Sequence, residues 1–230
     1  MRNLLRFFFH LLYHPFAFTY DWVASIVSVG RWKDWVLSVV PFIEGTRVLE
    51  LGHGPGHLQR VLLSRNLVAV GLDESAPMGR LAQRNLRRIP AAKNQPLSSA
   101  HPQTDYAQGN LARGISQNLP FPDETFDTIV ATFPSEYFTD PRTLTEVKHC
   151  LSHNGRFIVL PAATFWGRSL LDRIMGLLFK VTGQHPQDPL DIFTERLKRP
   201  FLEAGFHVDI HQVEVKSSTV LIVVATKAAP

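Results

Sequence analysis

At 230 residues, 45% hydrophobic and 19% charged, the chain can bury a sizeable core and is too ordinary in composition to be disordered, collagen-like or disulfide-rich. Its formal net charge of +4 is spread along the chain, which disfavours a nucleic-acid partner. The single cysteine, Cys150, excludes an intrachain disulfide and fits a reducing compartment, with the cytoplasm as the default.

The first apolar stretch, Leu4 to Val29, is interrupted by Arg6, His10, His14, Pro15 and Asp21, so a spanning helix is rejected. Two readings stay open. The segment folds over the site as a lid carrying Tyr13 and Tyr20, the favoured reading, or Leu4 to Leu12 lies in a membrane interface with Arg2 and Arg6 at the headgroups, giving peripheral membrane contact. Arg31 to Val40 has helical spacing and ends near Pro41. Residues 1–45 are therefore expected to form an N-terminal helical lid and 46–230 a single globular domain.

From Arg47 the pattern alternates strand and helix. Arg47 to Leu51 is an apolar run stopped by glycines, His57 to Asn66 a helix with Leu58, Val61, Leu62 and Leu63 towards the sheet, and Leu67 to Leu72 a second strand closed by Asp73. Ser75 to Ile89 reads as a helix whose cluster Arg80, Arg84, Arg87, Arg88 is a solvated face, and Pro90 to Thr104 as a loop. Strands are expected at Ala107 to Arg113, Thr128 to Thr132 and Arg156 to Leu160. Between the last two runs a helix, Thr143 to Leu151, closed by Asn154-Gly155. An amphipathic helix over Trp166 to Val181 and another over Leu190 to Ala204 follow. Phe206 to Val213 and Thr219 to Thr226, with no helix between them, suggest an antiparallel pair at the sheet edge.

Gly52-x-Gly54-x-Gly56 between a strand and a helix lets the backbone turn sharply and approach a nucleotide-like ligand. A dinucleotide fingerprint wants glycine at the sixth position, where this chain has His57, so an NAD-linked reading loses ground. Asp73 stands where a carboxylate accepts from ribose hydroxyls, although capping the helix that starts near Ser75 would serve equally. The histidines, His53, His57 and His211 among them, are too scattered for a metal site.

Val48-Leu49-Glu50-Leu51-Gly52-His53-Gly54-Pro55-Gly56, then Val70-Gly71-Leu72-Asp73, then Leu119 to Asp127 (LPFPDETFD), then Leu144-Thr145-Glu146-Val147 leading to Leu151-Ser152-His153-Asn154-Gly155-Arg156, resembles the class I S-adenosylmethionine-dependent methyltransferases. Within them it is similar to the ubiquinone and menaquinone C-methyltransferases. The resemblance implies a three-layer Rossmann-like α/β fold, its seven-stranded, mostly parallel sheet ending in an antiparallel last strand, with S-adenosylmethionine across the carboxyl ends of the first strands. It implies that Glu50, Gly52, His53, Gly54 and Gly56 hold the methionine portion, Asp73 the ribose, and Glu74 and Met78 the sides of the adenine. In related enzymes the N-terminal segment folds over the donor as a lid, where Tyr20 either contacts the donor's carboxylate or sulfonium or, the plainer role, merely packs.

This chain departs from the family at Ile115, where an acid often binds the adenine amino group; Ser116 with its backbone N–H, or Asn110, is the substitute. After the fourth strand, Thr132 to Tyr137 (TFPSEY) lacks the Asn-Pro-Pro-Tyr signature of base and glutamine N-methylation. Glu136 and Tyr137 are candidates to orient or deprotonate an acceptor, though a helix cap is the plainer role for the glutamate. The expected acceptor is a small apolar molecule, because apolar residues dominate both segments expected to wall the pocket. The rival reading is a non-catalytic protein that binds the donor or a lipid surface.

Overall fold

In β1 (Arg47–Leu51) successive side chains alternate between two buried layers, and this alternation organises the molecule. The computed structural model describes residues 31–87, 110–165, 189–216 and 218–228. Leu49 and Leu51 join one apolar cluster and Val48 the other, so Glu50, two residues on from Val48, shares Val48's face.

The strands are β1, β2 (Val68–Asp73), β3 (Asn110–Arg113), β4 (Phe126–Thr132), β5 (Leu151–Phe165), β6 (Phe206–Val215) and β7 (Ser218–Lys227). They form one seven-stranded sheet in the order β3-β2-β1-β4-β5-β7-β6, parallel except where β7 runs antiparallel to β5 and β6. This is the expected Rossmann-like fold with its antiparallel last strand. The order reverses beside β1, and the crevice at such a switch point is where open α/β sheets bind ligands.

The helices are α1 (Trp32–Leu37), α2 (His57–Ser64), α3 (Ala76–Leu86), α4 (Pro141–Cys150) and α5 (Pro189–Glu203). Trp35 and Val36 of α1 and Leu58 and Leu62 of α2 cover one face of the sheet; Leu144 and Val147 of α4 and Leu197 and Phe201 of α5 cover the other. Indole Nε1–H of Trp35 donates to Ser218 Oγ at 2.7 Å, which satisfies a polar group within this apolar layer.

Several boundaries differ from expectation, two of them for a plain physical reason. α1 ends at Leu37 and gives way to a 3-10 turn at Val40–Phe42, because Pro41 has no N–H with which to continue an α-helix. Asn154 has the expected positive φ of 59°, but α4 has already ended at Cys150. Leu151 enters the sheet directly opposite Phe126, and the left-handed Asn154 falls in the irregularity before Arg156 pairs with Thr128. The Trp166 to Val181 segment, the N-terminal 30 residues and Tyr20 with them, and Pro90 to Thr104 lie outside the described residues. Among the described residues no helix is long and apolar enough to cross a membrane.

Candidate functional site

The loop after β1 uses three glycines for three different reasons. Gly52, Gly54 and Gly56 all have positive φ, at 70°, 50° and 81°, a region that side chains disfavour. A Cβ on Gly52 would lie 2.9 Å from the hydroxyl of Tyr137, and one on Gly56 would lie 3.1 Å from Cβ of Ala82 on α3. Among the described residues, a Cβ on Gly54 would meet nothing within 4 Å. Gly54 thus borders the open side, where a ligand can approach the backbone.

That residue is pinned from both sides. Its N–H donates to Asp73 Oδ2 at 2.9 Å, and its carbonyl lies 2.8 Å from His53 Nδ1. A carbonyl can only accept, so Nδ1 carries the imidazole proton. Burial holds the His53 pKa below its ordinary 6.5, the charge of Asp73 opposing, which leaves the ring neutral at pH 7. The ring packs down onto β2, where a Cβ on Gly71 would come within 2.9 Å of His53 Cδ2. The side chain of His53 is therefore spent beneath the loop, and its carbonyl accepts from Gly56 N–H at 2.9 Å.

Asp73 Oδ1 accepts from Ser75 N–H at 2.8 Å. The N-cap of α3 is Ser75 itself, whose hydroxyl accepts from Met78 N–H at 3.4 Å. Asp73 therefore ties the end of β2 to the glycine loop rather than capping the helix.

Behind the loop, Glu50 is only 2% exposed. Gln59 of α2 donates from Nε2 to Glu50 Oε2 at 2.9 Å and to the carbonyl of Val70 at 3.2 Å. The sequence reading missed Gln59. α2 buries Leu58, Gln59 and Leu62 while Val61 and Leu63 are only partly covered, and the sole signal was a polar residue beside that apolar stripe. Gln59 Oε1 is buried with no hydrogen-bond partner among the described residues. Desolvation by burial pushes the Glu50 pKa up from 4.5 to about 8; the Gln59 bond opposes this and the charge of Asp73 adds to it.

The chain after β4 also reaches the loop. Phe133 has φ of 48° and stacks on Trp32 with ring centroids 4.3 Å apart, and the chain then forms a 3-10 turn at Glu136–Thr139. This brings the hydroxyl of Tyr137 to donate to the Leu51 carbonyl at 3.2 Å. Glu136 lies on the same turn and is exposed.

The far end of the site is less provided for. Ile115 is an exposed apolar side chain, 48% accessible. Ser116 is buried, its hydroxyl 3.1 Å from Thr143 Oγ1 and 3.3 Å from Gln117 Oε1, so it faces α4. Glu74 is exposed, and its carbonyl accepts from Arg113 Nε at 3.0 Å; Met78 is fully buried on α3. Among the described residues no three His, Cys, Asp or Glu side chains gather as a metal site needs.

These features suit the donor that the resemblance implies. Among the described residues the outer face of Gly54 leaves room for a ligand against the backbone, Asp73 holds its N–H, and the charge of Asp73 reaches the buried carboxyl of Glu50.

A family model described as a methyltransferase domain matches residues 49–159. The chain is 28% identical over 246 residues to a demethylmenaquinone methyltransferase of Symbiobacterium thermophilum, a match covering 94% of this chain and 91% of that protein. It is also 28% identical over 155 residues to a demethylmenaquinone methyltransferase of Thermotoga maritima, covering 65% of this chain and only 59% of the relative's length. A solved S-adenosylmethionine-dependent methyltransferase from Methanosarcina mazei has the same fold, with TM-score 0.53 at 18% identity over 84% of this chain and 98% of that one.

Proposed function

We propose that this chain, which belongs to the class I S-adenosylmethionine-dependent methyltransferases and is similar to the ubiquinone and menaquinone C-methyltransferases, methylates a small apolar acceptor of quinone or lipid type. The observation that carries the reading is Gly54, open on its outer face and held between Asp73 and His53 at the carboxyl ends of β1 and β2. In this reading Glu50 and the backbone of Gly52 to Gly56 hold the methionine portion. Asp73 holds the ribose: each of its oxygens accepts one backbone N–H and keeps a further lone pair for a hydroxyl. Exposed Glu74 and buried Met78 flank the adenine, Ser116 offers backbone N–H in place of the acid lost at Ile115, and Tyr20 reaches the donor from the N-terminal lid.

Bound S-adenosylmethionine supplies an electrophilic methyl group on a sulfonium. The chain's own contribution is alignment, worth up to about 7 to 11 kcal/mol in favourable cases. No residue needs to form a covalent bond. Tyr137, whose hydroxyl reaches the carboxyl end of β1, stands on the acceptor side with Glu136, and the N-terminal segment ahead of α1 closes over the transfer to exclude water. Sedimentation with liposomes, with and without residues 1–14, tests the accompanying membrane contact.

Incubation with methyl-labelled S-adenosylmethionine and a lipid extract tests the reaction. Label is expected in the organic phase, and Asp73→Ala should lose it. Tight donor binding with no labelled product from any fraction would favour the non-catalytic reading.

A further inference from the structure

The carboxyl of Glu50 is the least explained group near the loop. It is buried among apolar residues, with Val130 of β4 and Gly71 of β2 beside it in register. Gln59 of α2 gives it one neutral hydrogen bond, and none of its ion pairs or hydrogen bonds among the described residues is to a cation. The titratable groups around it are Asp73 at the end of β2, which is anionic and repels a second charge, and His53 of the loop, which packs on Gly71 and is neutral. Among the described residues, two carboxyls thus lie close enough to repel each other with no cation paired to Glu50. A buried carboxylate in that position is costly, and a proton removes the cost.

Resting on the donor reading above, we propose that Glu50 is protonated while the loop is empty and gives up its proton when a cationic donor seats against Gly54, so that donor binding releases a proton. The ligand's ammonium is the counter-ion that Glu50 lacks, and favours the carboxylate once it is close. The same proton loss suits the amide of Gln59, whose Nε2 already donates to Glu50 Oε2 and Val70. Glu50 acts here as a positioning and selecting residue: a ligand without positive charge leaves the proton in place and gains nothing from it. His53 contributes no proton to the count, because it is already neutral at pH 7.

One proton released per ligand also fixes the pH dependence. Affinity should tighten about tenfold per pH unit on the acid side of the empty-site pKa, and level off above it.

Calorimetric titration of S-adenosylhomocysteine at pH 7, in phosphate and in Tris, counts the protons because the two buffers differ in ionisation enthalpy. The wild-type chain should release close to one proton, whereas Glu50→Gln should bind with equal heats in both buffers. Equal heats in the wild type, or the same release from Glu50→Gln, would overturn the proposal. If Glu50→Gln fails to fold, infrared difference spectra of the wild type decide: a protonated-carboxyl band present without ligand should vanish with it, and a band that is absent or unchanged refutes the proposal. No heat and no spectral change at millimolar ligand would instead defeat the donor reading, and the proton release with it.

Discussion

The hydroxyl of Tyr137 stands 2.9 Å from the point where a side chain on Gly52 would begin, and it donates to the carbonyl of Leu51, the residue just before. The end of β1 and the turn after β4 are therefore fitted to each other through an absent side chain. Gly52→Ala should cost about 1 to 2 kcal/mol for its left-handed backbone and also displace Tyr137. Urea unfolding of Gly52→Ala, Tyr137→Phe and the double variant checks this. The cost of Tyr137→Phe should be smaller in the alanine background, and simple additivity would mean that the two residues do not touch.

A second fitted pair lies beneath the loop. Gly71 has ordinary φ, so Gly71→Ala acts through crowding alone, against His53 at 2.9 Å and Leu111 at 2.8 Å. Overpacking of this kind costs about 1 to 3 kcal/mol, and lifting His53 should loosen Gly54 and weaken binding of S-adenosylhomocysteine. Adding His53→Ala should recover stability. Failure to recover any would assign the crowding to Leu111.

Glu50 gives the stability curve an unusual sign. Its pKa is raised in the fold from 4.5 to about 8, so the folded chain holds a proton that the unfolded chain has lost across that interval. Its contribution is full below pH 4.5 and is lost as pH rises through about 8, on the order of a few kcal/mol. Thermal melts from pH 5 to 8 should show the wild type losing stability relative to Glu50→Gln.

Asp127 has the opposite sign. Burial raises its pKa, but Arg47 and the N–H groups of Thr46 and Arg47, at 2.9 and 3.0 Å, outweigh this and hold the carboxyl below its ordinary 3.8. Its stabilisation is present above that value and lost as pH falls below it. Asp127→Asn should cost about 1 to 3 kcal/mol at pH 7, through loss of charge-assisted hydrogen bonds, and the gap should close in acid melts below pH 4.

Much of this arrangement was legible in the chain. β1 and β2 are short apolar runs stopped by Gly52 and Asp73, and a parallel strand buried on both faces leaves that signature. The closing hairpin was legible because two apolar segments lack a helix between them. The partnerships were not. Gln59 meets Glu50 only because α2 folds back over the same face of β1, and His53 meets Gly71 only because the loop bends down onto the neighbouring strand. Ser116 turned out to face Thr143 across 27 residues of chain, a direction that no local pattern encodes. Asn154 showed its left-handed preference truly but not its setting, since the same backbone shape serves a helix end or an irregular strand start.

The central claim is that the loop held between Asp73 and His53 seats the methyl donor. Calorimetric titration of S-adenosylhomocysteine into the wild-type chain and into Asp73→Ala tests it most directly. Saturable binding to the wild type, weakened at least tenfold in Asp73→Ala, is the expected result. No heat of binding to the wild type, or the same affinity in both proteins, would contradict it.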